Sequence, residues 1–258
     1  LITKIARFEV IRFHLVKTLI VNTKYFLKYN SRYILISGRI SYRFLFPLIR
    51  VINLMLEIKL VLATHNLHKQ KEMNSILSSL EIQIVGLEEF PQIGDIEETG
   101  TTLVENAFIK ARAVHRLTGL ASLADDTGLE VDALNGAPGV YSARYAGQNP
   151  TFKENCEKLL YSLRNFPDEK RIAKFRTVVA FVDGETEYYT EGIVKGMIIN
   201  DRRGIDGFGY DSIFMPDSLG LTYAQMDTIQ KNSMSHRFKA LKKMKTFLVP
   251  YFKKKECL

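Results

Sequence analysis

Cysteine is almost missing from this 258-residue chain, which has only Cys156 and Cys257. They stand far apart and show no metal-ligand spacing. That argues against a disulfide framework or a thiolate metal centre, and free thiols suit a reducing, cytoplasmic setting. Long apolar runs are missing too. Charges interrupt the hydrophobic stretches too often for a membrane span, and no useful apolar stretch precedes a small-residue cleavage site of the secretory type. Acids are scarce in one place only. Residues 1–54 hold ten Lys or Arg against the single acid Glu9, so the formal net charge of +8 belongs to the front of the chain. The remainder is close to electrical balance, and the nucleic-acid partner that a basic total suggests is not expected.

The front segment also has a single Ala, Ala6, and a single Gly, Gly38, and is rich in Ile, Leu, Phe and Tyr. Lys17, Lys24, Lys28, Arg32, Arg39, Arg43 and Arg50 share one arc at helical period, which would suit an interfacial amphipathic helix. Gly38, Pro47 and Asn30-Ser31 argue against one continuous helix. Met55 directly precedes the first strand pattern. The expected organisation is a basic segment at 1–54 that is not part of the native domain, followed by one folded domain at 55–252.

With 46% hydrophobic residues, there is ample material for a globular core. After Met55 the pattern alternates. Strands are expected at 58–63, 82–85, 121–124, 129–131, 173–182, 187–199 and 212–214. Helices are expected at 68–79, 103–117, 152–163 and 235–248. Asp183-Gly184 is a strong hairpin signal, and Gly136-Ala-Pro-Gly139 marks a turn. The whole reads as one α/β unit with a mixed sheet.

Four stretches carry chemistry. Ala124-Asp-Asp-Thr-Gly128 follows a short apolar run. Adjacent carboxylates beside a buried strand are costly unless something offsets their desolvation. Neighbours in a strand point to opposite faces, so Asp125 and Asp126 cannot both face one ligand. One can take a metal or a water while the other holds the turn; a plain Asp-Asp-Thr-Gly turn is the alternative. Ala63-Thr-His-Asn-Leu-His-Lys69, followed by Glu72, reads as a strand running into a helix capped by Thr64 or Asn66. The exposed N–H groups and Lys69 suit an anion, although an ordinary βα turn has the same pattern. Glu97-Glu-Thr-Gly-Thr-Thr102 leads into Glu105, Lys110 and Arg112. Thr101 or Thr102 with Glu105 reads as a capping box, and the acids complement the helix dipole with or without a ligand. Gly207-Phe-Gly-Tyr-Asp211 precedes Lys231 and Ser235-His-Arg237. Its glycines permit close approach, its rings offer flat faces for a base, and the basic residues offer donors; a glycine turn before a basic helix is the plainer reading.

Seven segments in register resemble the inosine/xanthosine triphosphate pyrophosphatases. Besides those above, they include Glu105-Asn-Ala with Lys110-Ala111, and Gly136-Ala-Pro-Gly-Val-Tyr-Ser-Ala-Arg-Tyr145. The resemblance runs from about residue 58 to 248. It departs at His65, where many members carry Gly, at Ser212 in place of the usual Pro, and at Gln225 and Gln230, where acids are frequent. The resemblance implies a long twisted mixed sheet flanked by helices, two lobes with a central cleft, and a homodimer. It implies hydrolysis of ITP, dITP and XTP to the monophosphate and pyrophosphate with Mg²⁺. Asp126 is then the general base and a metal ligand, with Glu97 as second metal ligand and Glu98 and Asp125 in reserve. Thr64, His65, Asn66, Leu67, His68 and Lys69 cradle phosphate, aided by Lys110 and Thr127. Phe208, with Gly209 beside it, stacks on the base. Tyr210, Asp211, Lys231, His236 and Arg237 complete the nucleoside pocket, with His236 or Arg237 aimed at the C6 oxygen. Two rival functions are a pyrophosphatase for modified pyrimidine triphosphates, and a nucleotide-binding or membrane-associated module led by the basic N-terminus.

Overall fold

Each helix of the domain starts on a side chain that satisfies its free N–H groups. Asn66 Oδ1 accepts from the backbone of His68 at 3.0 Å and Lys69 at 3.2 Å, opening α1 (Leu67–Leu77). Thr102 with Glu105 and Thr151 with Glu154 form capping boxes for α2 (Leu103–Thr118) and α3 (Phe152–Leu163). Asp227 caps α4 (Thr228–Met234). Ser235 Oγ accepts from Phe238 N at 3.1 Å at the start of α5 (His236–Glu256). The Ser-His-Arg tripeptide is therefore a helix cap followed by the first two residues of the helix.

This computed structural model describes residues 26–29, 32–35, 58–217 and 219–256. Met55 and Cys257 lie outside them, as does most of the basic arc. Within that arc Lys28 and Arg32 are extended rather than helical, in strands β1 (Phe26–Tyr29) and β2 (Arg32–Leu35), which pair antiparallel.

The domain from Ile58 to Phe252 is a separate unit built on one mixed sheet. Its strands are β3 (Lys59–Leu62), β4 (Gln83–Val85), β5 (Ala121–Val131), β6 (Pro138–Gly139), β7 (Ile172–Asp183), β8 (Thr186–Ile198) and β9 (Phe214–Pro216). The order is β4-β3-β5-β7-β8-β9, with β6 beside β5. The first three run parallel and the others antiparallel. The expected hairpin joins β7 to β8. Helices cover the sheet, as an α/β unit requires. Leu60, Leu62, Leu123, Val179 and Phe181 pack on α1 and α5. The alternate residues Val61, Ala124, Val178, Ala180 and Val182 pack on α2. A further core lies toward the other end of β5 and β7, where Leu129, Phe175 and Phe214 meet α3 and Tyr223.

Two expectations are corrected. Residues 121–131 form one strand, with no turn at Asp125-Asp-Thr-Gly128, because β5 pairs with β7 continuously from Ser122↔Val182 to Val131↔Ala173. The last strand lies at Phe214–Pro216, and Ser212 sits in the turn before it.

Candidate active site

The cleft begins where β3 leaves β5. Their parallel pairing ends at Leu62↔Leu123, with Ala63 N donating to Leu123 O at 2.8 Å. The chain then turns through Thr64-His65-Asn66 into α1, and β6 rejoins β5 only at Leu129↔Gly139. Between these points β5 has one open edge, and its residues Asp126 and Thr127 line a cleft of about 520 Å³.

The period of two in β5 separates the adjacent aspartates. Asp126 follows Ser122 and Ala124 toward α2, where Lys110 Nζ lies 3.6 Å from its Oδ1. Its Oδ1 also accepts from Thr127 N, while Oδ2 is buried without a hydrogen-bond partner among the described residues. Burial raises the Asp126 pKa, against the pull of Lys110 and Lys69. Lys110 also donates to Glu98 Oε1 at 2.5 Å, and Arg144 approaches Glu98 Oε2 at 3.6 Å. Burial favours neutral Lys110, but Asp126 and Glu98 outweigh it and raise its pKa. Burial would raise Glu98, but Lys110 holds it below the usual range.

Asp125 points to the other face and is fully buried. Arg237 Nε donates to its Oδ2 at 3.0 Å, and Lys69 Nζ lies 3.3 Å from Oδ1. Arg237 also donates to Glu72 Oε2, and through Nη2 to Thr127 Oγ1 at 3.1 Å. Glu72 Oε1 accepts from Lys231 at 2.8 Å, and Lys231 donates onward to Asp211 Oδ2 at 2.8 Å. A buried chain of alternating charge thus runs beneath the cleft, from Lys69 to Asp211. Burial would raise Asp125 and Glu72; the cations around each overcome it, holding Asp125 well below the usual carboxylate range and lowering Glu72 as well. Burial lowers the Lys69 pKa, although Asp125 works against it.

At the far end Phe208, Gly209, Tyr210, Asp211, Lys231 and His236 line the cleft. Asp211 Oδ2 accepts from Phe208 N at 2.7 Å. A Cβ on Gly207 would lie 2.2 Å from that oxygen, at a φ of +78°, so the loop wraps this tightly only with glycine. Tyr210 donates to Ser142 O at 2.9 Å. The His236 ring stacks on Phe175, with centroids 4.5 Å apart, and its buried Nδ1 has no partner among the described residues. Burial, then Arg237 and Lys231, push the His236 pKa far down, so the ring is neutral at neutral pH.

The structure gathers most of the expected residues. Thr64, His65, Asn66, Lys69, Lys110, Asp126 and Thr127 line the same cleft as the base-end set. Five do not line it. Glu97 is exposed, and the next residue, Glu98, turns inward to Lys110 in its stead. Leu67 is 67% exposed on the outer side of α1. His68 lies outside the cleft and stacks on Phe208. Arg237 is 1% exposed and its guanidinium is committed to Asp125, Glu72 and Thr127, so it is not aimed at a base. Asp125, held in reserve for metal, is committed to Arg237 and Lys69. Sequence reasoning missed Glu72 as the junction of the charge chain. Its place three residues after Lys69, on one helix face, was the available signal. Nothing in the sequence marked Phe152 or Phe175 as cleft residues.

Among the described residues, no three His, Cys, Asp or Glu side chains gather as a metal site. Glu98 and Asp126, with the unpartnered Oδ2, supply two carboxylates. That suits a hard divalent cation whose remaining ligands are phosphate oxygens and water.

Residues 60–247 match the family model described as Ham1. A dITP/XTP pyrophosphatase of Thermoanaerobacter sp. (strain X514) is 44% identical over 197 residues, covering 76% of this chain and all of the relative. One from Coxiella burnetii is 46% identical over 198 residues, covering 76% of this chain and 98% of the relative. The solved structure of a HAM1 protein from Coxiella burnetii superposes with a TM-score of 0.69 at 44% identity, over 74% of this chain and 98% of that one. The Ham1 protein of Staphylococcus aureus gives 0.67 at 39%, over 74% and 97%. The matched stretch holds every residue of the cleft from Ala63 to His236, and the chain belongs to the Ham1 family.

Proposed function

We propose that this protein hydrolyses deaminated purine nucleoside triphosphates, ITP, dITP and XTP, to the monophosphate and pyrophosphate, clearing them from the cytoplasmic nucleotide pool. The observation that carries the reading is Asp126. A buried carboxylate with one unpartnered oxygen faces a cleft that has lysines at one end and a stacking ring at the other. The names of the relatives favour this reading over a pyrimidine enzyme or a binding module. Asp126 takes the proton of the attacking water, and the rise that burial gives its pKa makes its carboxylate a stronger base than an exposed one. Glu98 and Asp126 would hold Mg²⁺, which supplies charge neutralisation at the phosphoryl oxygens. Thr64, Asn66, Lys69 and Lys110, with the positive end of the α1 dipole, hold the triphosphate. The base lies on Phe208.

Selectivity follows from hydrogen-bond polarity. Hypoxanthine and xanthine present an oxygen at C6, where adenine presents an amino group. The neutral His236 ring carries one N–H, and a donor at Nδ1 rewards the oxygen and is left unpaired by adenine. Such a mismatch is worth on the order of 10⁴-fold. The resemblance also supports a homodimer, for which the exposed Tyr189 and Ile193, on one face of β8, offer apolar surface. The test is pyrophosphate release from ITP, XTP, dITP, ATP, GTP and dTTP with Mg²⁺. ITP, XTP and dITP are expected to lead by orders of magnitude over ATP. Preferential turnover of dTTP, or none of any nucleotide, would refute the reading.

A further inference from the structure

Phe208 lines the cleft and is also gripped from outside it. His68, the second residue of α1, stacks on its ring with centroids 5.1 Å apart and planes at 22°. Phe152, the first residue of α3, meets both rings: 6.4 Å from His68 at 69°, and 6.0 Å from Phe208 at 47°. Phe152 and Phe208 line the cleft and His68 does not. Lys231, which does line it, holds its ammonium 4.6 Å from the Phe208 centroid. Lys231 is buried and fixed by Glu72 and Asp211, so it cannot follow the ring. The residues leading to Phe208, from 201 to 207, are all exposed. The ring's orientation therefore depends on the Asp211 bond to its backbone and on the aromatic contacts.

We propose that His68 is a positioning residue. It clamps the outer side of the Phe208 ring, and so ties the first turn of α1, which carries Asn66 and Lys69, to the loop that faces the base. The two ends of the cleft are then set at a fixed separation before substrate arrives, which lowers the ordering cost of binding. This deepens the proposed function and rests on it, since a nucleobase is what the ring is held for.

His68→Ala is expected to raise KM for ITP roughly three- to tenfold, the range an aromatic pair contributes. kcat should stay within about twofold, because Glu98, Lys110 and Asp126 are untouched. His68→Phe should restore KM. Inhibition by pyrophosphate should be unchanged, because the clamp acts on the base. A KM that does not move, a fall in kcat alone, or a weakening of pyrophosphate in step with ITP overturns the proposal. A second measurement needs no turnover. The chain has no tryptophan, so His68→Trp places a sole indole in the stack. Its emission should be blue-shifted relative to the His68→Trp, Phe208→Ala double variant, and identical spectra overturn the clamp. A wild-type protein inactive on all deaminated purine triphosphates would refute the function instead, while the emission comparison still decides the stack.

Discussion

Asp125 and Asp126 are chemically identical neighbours with opposite tasks. Asp125 is compensated by Arg237 and Lys69, and removing one partner of a buried pair typically costs about 3–5 kcal/mol. Asp126 is buried with its pKa raised, so its charge is a burden on the folded state at neutral pH. The sign follows: a carboxyl raised above its unfolded value is better tolerated once its charge is lost, and Asp126→Asn removes that charge at every pH. Asp126→Asn should therefore lower kcat by about 10²–10⁴ while melting no lower than wild type. Asp125→Asn should lose less turnover per folded molecule but melt markedly lower. Pyrophosphate release and thermal denaturation on both variants check this, and an Asp126→Asn protein with more than about a tenth of wild-type kcat removes it as the base. The period of two made this division legible from two letters of sequence. The choice of Glu98 over Glu97 was not, because residues 94–100 are irregular and no period says which way a side chain faces.

Among the elements, β8 and α5 approach closely. A Cβ on Gly192 would lie 2.0 Å from His236 O and 2.5 Å from Ala240 N, so the helix backbone rests on the strand backbone. Thr190 Oγ1 donates to Ala240 O at 2.8 Å beside it. Gly192→Ala must lift the first turn of α5, which carries His236 and Arg237. Overpacking of this kind costs about 1–3 kcal/mol, or roughly 3–10 °C in Tm for a domain this size. kcat/KM for ITP should fall as well, because the lifted turn shifts His236. A variant that loses stability with kinetics intact would show that the turn is free to move. The helices were the most legible elements: Thr101 or Thr102 with Glu105 marked the start of α2, and α3 fills its expected span of 152–163. Residues 125–128 were misread as a turn because Asp and Gly are poor strand formers, and pairing with β7 overrides that preference. Arg237 looked like a ligand because its partners, Glu72 and Asp125, lie 165 and 112 residues away, beyond any local pattern.

At the scale of the whole molecule, the family match spans 60–247 and every cleft residue falls within it. A chain beginning at Met55 should therefore keep its turnover and melting temperature. Calorimetry and the nucleotide assay on full-length and shortened chains check this, and aggregation or a Tm many degrees lower would show that residues 1–54 pack on the domain. The buried charge chain has a different consequence, in time rather than space. Lys69 and Glu72 leave the ribosome before Asp125, and Lys231 and Arg237 more than a hundred residues after it. Until α5 emerges and docks, Asp125 and Glu72 lack their arginine, and contacts so distant in sequence form slowly. The charge chain beneath the cleft is therefore complete only once Arg237 reaches Asp125.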